Sequence, residues 1–329
     1  MTISAGSYSI GSGAQNYATL AAAIADIASS TLTGNLTFTY ETAVTETAQA
    51  DLQIDLAGYT LRITSNSDPE GRFGNGNLIS LNYATASTGW LLHRPTGSGT
   101  VQIDHLDVKQ ITNSASGARM FRDFGATASN TLIMFDNVFD GDSKVLNGYG
   151  WEFADADSTK EIYSNRVRGM NISLMISSAN QAGSFDNNTW LGTIYCVWFN
   201  GAQITSGGGF INNCCYGGTS YNGTHTSTVG KNNAGDDTTG ANATWSSGSG
   251  NVVSITSGDF QDTSTVGAAT YFLPAITGAL DGTNTTPTAS FSELANGKAV
   301  DCIGAMGLGS AVNQKPEYYY RANKKRRSY

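Results

Sequence analysis

Apolar and polar residues alternate in short runs along most of this chain. Leu36-Thr37-Phe38-Thr39-Tyr40, Leu52-Gln53-Ile54-Asp55-Leu56, Tyr59-Thr60-Leu61-Arg62-Ile63, Thr131-Leu132-Ile133-Met134-Phe135 and Ser173-Leu174-Met175-Ile176 all read as strands with one face buried. One early segment has a different period. Thr19 precedes Leu20, Ile24 and Ile27, which fall on one face of a helix expected over about 19–29, with Thr19 as its N-cap.

A repeat lies over the strand pattern. Asp136-Asn137-Val138-Phe139-Asp140-Gly141, Ser164-Asn165-Arg166-Val167-Arg168-Gly169, Asn187-Asn188-Thr189-Trp190-Leu191-Gly192 and Asn212-Asn213-Cys214-Cys215-Tyr216-Gly217 each carry Asn second and Gly sixth. The asparagines are 28, 23 and 25 residues apart, the length of one solenoid coil. Asp104-His105-Leu106-Asp107-Val108 reads as a fifth copy, with His105 in the Asn place. Asn tolerates the left-handed backbone region, Gly enters it freely, and stacked asparagines can hydrogen-bond from coil to coil. The expected fold is all-β: a right-handed single-stranded parallel β-helix with an N-terminal capping α-helix and an extended C-terminal arm.

The expected organisation is a cap with the first strands over 1–48, coils over 49–228, loop-rich C-terminal rungs with a closing strand over 229–314, and a basic, Tyr-rich arm over 315–329. Between 219 and 250 the chain is almost wholly Ser, Thr, Gly and Asn, which reads as a long loop before Val252-Val253-Ser254-Ile255.

Composition sharpens this picture. Only 13% of residues are charged, so Ser, Thr, Asn and 39 Gly supply the polar surface. Residues 315–329 hold six Lys or Arg against one Glu, a local +5 that leaves −13 for the rest of the −8 chain. An acidic body argues against a nucleic-acid groove in the coils and places electrostatic docking at the arm. The opening residues lack a basic stretch followed by an apolar one, and no run approaches a membrane span, so a soluble protein made in the cytoplasm is expected. Cys196, Cys214, Cys215 and Cys302 are too few for a disulfide scaffold and show no metal-ligand spacing; buried free thiols are expected.

Ile10-Gly11 followed by Asn16-Tyr17-Ala18-Thr19-Leu20 resembles the entry helix of pectate-lyase-like β-helix proteins common in phages, and Asp301-Cys302-Ile303-Gly304-Ala305 is similar to their closing strand. These signatures bracket nearly the whole chain. The resemblance implies a virion component: a polysaccharide-cleaving tailspike, or a non-enzymatic decoration, fibre or tail protein, with trimers common among such proteins.

Glycoside cleavage in this fold needs paired carboxylates on neighbouring coils. Asp104, Asp107, Asp136, Asp140, Asp142, Glu152, Asp155 and Asp157 are the candidates, expected instead to be solvated turn carboxylates. The motifs of polygalacturonases and pectate lyases are missing, and Arg166 and Arg168 are expected to be exposed turn residues. His93, His105 and His225 are too scattered for a zinc site, and no metal or cofactor is expected. Trp151, Trp190, Trp198 and Tyr195 could form a sugar platform but are expected in the core or an interface.

No catalytic residue is therefore assigned. The residues expected to bind a partner are Tyr318, Tyr319, Tyr320, Arg321, Lys324, Lys325, Arg326 and Arg327, where aromatic contact area adjoins concentrated charge. The function expected is a non-enzymatic virion protein, capsid-associated or decorating, assembled in the host cytoplasm and docking to other virion proteins through this arm. A tailspike depolymerase and a carbohydrate-binding adhesin are the alternatives. Nucleic acid is a possible partner only at the arm, and no membrane contact is expected.

Overall fold

A computed structural model describes residues 2–28, 30–66, 78–83, 89–113, 115–125, 129–155, 158–177, 182–200, 209–223, 230–231, 233–237 and 255–259. The described chain is mostly β, with one α-helix and parallel strands throughout. The first sheet stacks nine strands in chain order, among them Leu36–Tyr40, Thr60–Ser65, Thr100–Asp104, Asn130–Phe135, Ser158–Tyr163 and Ala182–Asp186. A second stack holds Val44–Glu46, Leu78–Leu81 and Asp107–Gln110; a third holds Ala50–Leu52, Gly89–His93 and Arg119–Asp123. From Val138–Phe153 onward, single long strands (Arg166–Ile176, Thr189–Phe199, Cys214–Asn222) run through both stacks, bent by register shifts between the two. From Leu36 to Asn222 the chain visits the three stacks in the same order on each circuit.

The alternation explains the core. Leu61, Val101 and Leu132 lie in register and fully buried, as do Ile63, Ile103 and Met134 two positions on. Trp90, Phe121, Phe139, Trp151, Phe153, Phe185 and Trp190 fill the wider part, their rings tilted or edge-on to their neighbours. Each such side chain contributes about 1.5–3 kcal/mol of burial.

The helix is Leu20–Ile27, shorter than the sequence predicts. Thr19 caps it as expected, its Oγ1 accepting from Ala22 N at 3.1 Å, and Ser30 N bonds back to Ile27 O where it ends. Glu46 reaches its first turn, accepting from Leu20 N at 2.6 Å and from the Tyr40 hydroxyl at 2.8 Å. Burial pushes this carboxyl up, against those hydrogen bonds.

The asparagine repeat folds as the expected hydrogen-bonded ladder, but the asparagines do not take the left-handed position. The left-handed position belongs to the residue before each Asn: Asp136, Ser164, Asn187 and Asn212 have φ of 52°, 56°, 57° and 57°. The turn made there points the following Asn inward. Its Oδ1 then accepts the backbone N–H and the side-chain amide of the Asn one coil earlier, at 3.1 and 2.9 Å from Asn137 to Asn165 and at 3.0 and 3.0 Å from Asn165 to Asn188. The ladder continues from Asn188 to Asn213 and from Asn213 to Asn233, a rung 20 residues on that the repeat did not reveal. His105 is corrected as well. With φ of 58° it aligns with Asp136, and Leu106 takes the Asn place, donating its N–H to Asn137 Oδ1 at 3.0 Å.

At the sixth position, Gly217 has φ of 121°, and a Cβ there would stand 2.3 Å from Gly192 O. Both backbone strain and a clash oppose any side chain. Gly217→Ala is expected to lose more than about 1 kcal/mol of stability, read as an earlier denaturant midpoint.

Candidate functional site

The outer face of the third stack carries the densest set of partly exposed rings and charges. Phe121, Trp151, Leu174 and Val197 are buried on its strands, and the two columns that flank them are partly exposed except at Glu152, Ile172 and Met175, which are buried. One runs Arg119, Tyr149, Ile172, Tyr195, Thr219, and the other Arg122, Glu152, Met175, Trp198, Asn222, each in register from coil to coil. Tyr149 and Trp198 stack with centroids 6.5 Å apart and planes 19° apart, and Tyr195 lies 5.8 Å from Trp198. The Arg119 guanidinium sits 4.7 Å over the Tyr149 ring.

Glu152 anchors the charged end. It pairs with Arg119, with Arg122 at 2.9 Å, and accepts from Ser177 Oγ at 3.1 Å. Burial holds the Arg122 guanidinium below its ordinary range; Glu152 raises it again and Arg119 adds to the depression. This arrangement offers flat apolar area edged by planar donors.

Most of the carboxylates expected to be solvated are instead internal, while Asp107 and Asp142 are partly exposed. Asp104, Asp136, Asp140, Glu152 and Asp155 are all buried. Asp104 takes both Nε and Nη2 of Arg62, at 2.8 and 2.6 Å, with Thr64 Oγ1 and His105 Nδ1 also on it. Burial pushes that carboxyl up, but Arg62 and His105 outweigh it and leave it well below the usual range. Asp140 pairs with Arg168 at 3.1 Å and Asp142 with Lys109 at 3.4 Å. Arg166 and Arg168, expected on exposed turns, are buried too, because each follows the inward Asn165 onto the crowded outer side of the second stack. Asp107 is pushed up by burial, with Arg168 opposing and Asp140 reinforcing.

A fourth cluster lies inside the fold, where the third stack turns into the first. Asp123 accepts from Ser158 Oγ at 3.1 Å, lies 2.8 Å from His93 Nδ1 and pairs with Lys160 at 3.1 Å, with His93, Asp123, Ser158 and Lys160 fully buried. Burial raises the Asp123 carboxyl, but His93 and Lys160 outweigh that and lower it overall.

These lowered carboxyls have a consequence in acid. A carboxylate whose folded pKa lies below its unfolded one stabilises the fold above the unfolded value, and that contribution fades as pH falls towards the folded one. Asp104 and Asp123 therefore withdraw stability below about pH 3.8, whereas the raised Glu46 and Asp107 act with the opposite sign. Asp104→Asn is expected to flatten the acid limb of a melting-temperature series from pH 6 to pH 2.5, relative to the parent chain.

Cys196, Cys214 and Cys215 are buried free thiols, as expected. Among the described residues no group of His, Cys, Asp or Glu could hold a metal, and no helix is long and apolar enough to cross a membrane. Trp151 and Trp190 are core, while Trp198 and Tyr195 face out. The arm residues Tyr318 to Tyr320, Arg321 and Lys324 to Arg327 lie outside the described residues, as do Asp157, His225, Cys302 and the expected closing strand.

No family model, curated protein or solved structure matches this chain. Its functional reading therefore rests on geometry and chemistry. Arg119, Arg122 and Tyr149 had no place among the sequence candidates. The available signal was spacing: Arg119 and Arg122 flank the apolar Met120-Phe121, and Tyr149 stands two residues before Trp151.

Proposed function

We propose that this chain is a right-handed single-stranded parallel β-helix serving as a non-enzymatic structural protein of a bacteriophage virion, capsid-associated or decorating. The repeated circuit through three parallel stacks and the Asn ladder support the β-helix, and crossovers between parallel strands are right-handed in about 98% of cases. A rod of this kind is a rigid spacer, and its basic arm is the docking element.

The observation that carries the non-enzymatic reading is the state of the acids. Asp104, Asp140 and Glu152 are each matched to a basic partner. Glycoside cleavage needs one carboxyl kept protonated and another ionised on either side of an open sugar site. Asp107 is raised by burial, as a protonated member would be, yet Asp140 beside it is 4% exposed and tied to Arg168. Deleting residues 318–329 and analysing purified particles by mass spectrometry tests the docking element. Loss of the protein from particles is expected; undiminished incorporation would refute arm docking.

A second reading, a carbohydrate-binding adhesin without turnover, is favoured by the Tyr149, Tyr195 and Trp198 rings. Tyr149 stands two strands before Tyr195 and Trp198, which share a strand, so the three rings form one short aromatic platform across about 10 Å on which sugar rings of a glycan can stack. Glycan-array binding that Trp198→Ala abolishes would support this reading, and an array with no binding would remove it.

A further inference from the structure

The helix Leu20–Ile27 does not close against the first circuit along its whole length. An open cavity of about 490 Å³ lies between it and segment 49–55. Ala21, Ile24 and Ala25 supply an apolar wall with little side-chain bulk, and Asp51 and Asp55 bring carboxylates to the same space. Asp51 is paired with Arg94, whereas Asp55 is exposed, with Oδ1 accepting from Ala57 N at 2.9 Å. These three charged groups leave the groove with one net negative charge.

Ser30 also lines the cavity, is 4% exposed, and its hydroxyl has no hydrogen-bond partner. Buried hydroxyls are normally satisfied. An unsatisfied one beside an open groove marks a place where an incoming polar group would gain a bond.

This lining suits a long cationic side chain. Its methylene stem would lie along Ala21, Ile24 and Ala25 while its charged end meets Asp55, the usual division of labour in Lys and Arg. We propose that the groove receives the basic segment Lys324, Lys325, Arg326 and Arg327 of a second copy of this chain. The inference rests on the arm-docking reading and names one receptor for that arm.

Two observations select this occupant. The segment concentrates four consecutive positive charges on a chain whose remainder is strongly acidic. The groove also sets an exposed carboxylate, Asp55, beside a small-residue apolar wall, a pairing that suits a Lys or Arg side chain. Contact between the arm of one copy and the groove of another is heterologous, and it extends into rows unless the rotation closes a ring.

Trypsin reads the contact directly, because the arm holds its cleavage sites. In the full-length protein, cleavage at residues 324–327 is expected to slow as concentration rises, in step with larger species in sedimentation velocity. Asp55→Asn and the groove-filling Ala25→Trp, at an exposed helix position, should each restore fast cleavage by about fivefold, the scale of one partly exposed charge pair, and return the protein to monomer. Cleavage independent of concentration, or protection unchanged in both variants, would overturn the head-to-tail contact. Neither result alters particle incorporation through the arm, which the deletion of 318–329 reads separately.

Discussion

Asn165→Ala should lose about 3–5 kcal/mol of stability, among the largest effects available to one substitution in this chain. The Asn165 side chain accepts from Asn137 N and Nδ2 and donates to Met134 O, Tyr163 O and Asn188 Oδ1, all within the fold. Alanine removes all of these bonds at once; Asn188 Oδ1 keeps only the backbone N–H of residue 165 and Asn137 Nδ2 only Ile103 O, and the Asn137 N–H loses the acceptor it has in the buried ladder. Because coils contact mainly their neighbours, the loss should be local. Hydrogen exchange should rise first in Asn130–Phe135, Ser158–Tyr163 and Ala182–Asp186, ahead of the first strands. A melt shifted by under 1 °C would show that the ladder is ornamental.

Lys160→Met should be nearly as damaging, at about 3–5 kcal/mol. Lys160 lies on an inward position of the first sheet and neutralises Asp123 in the interior. Methionine fills similar volume but takes the ammonium from Asp123, which keeps only His93 and Ser158, and takes a donor from Asp155 O and Ser158 O, so the cost is electrostatic rather than steric. Lys160→Met combined with Asp123→Asn should therefore recover part of the loss, because the buried charge leaves with its partner. A denaturant series on the two single variants and the double variant measures the coupling. Strict additivity would mean that the two groups do not stabilise one another.

The depth to which the sequence was legible follows from what each signal depends on. The helix cap at Thr19 and the asparagines at 137, 165, 188 and 213 depend on local chemistry, and the structure has them in the expected elements. The role within each turn was not legible, because either the Asn or the residue before it could take the left-handed position. Asn233 was hidden by the Ser- and Gly-rich stretch around it.

Tryptophan orientation shows a different limit. Trp190 and Trp198 are eight residues apart, so strict alternation puts both on the same side of the strand. The register shift between Gly192 and Tyr195 reverses the parity, and Trp198 emerges while Val197 turns inward. Bulges of this kind leave no clear mark in a single sequence. Lys160 carried a usable signal, since it shares parity with the buried Ile162, but its partner Asp123 is 37 residues earlier and only the stacking brings them together.

The acids were misjudged for a related reason. Asp104, Asp140 and Glu152 look like surface residues until the coils stack Arg62, Arg168 and Arg122 against them. Their pairing is the ground on which we propose a shift from turnover to binding. Incubation of the full chain with a panel of bacterial capsule, lipopolysaccharide and pectin substrates, followed by measurement of reducing and unsaturated ends, tests that shift most directly. No release above the buffer control is expected, from the parent chain or from Asp107→Asn and Asp140→Asn. Product release that either substitution abolishes would contradict the non-enzymatic account.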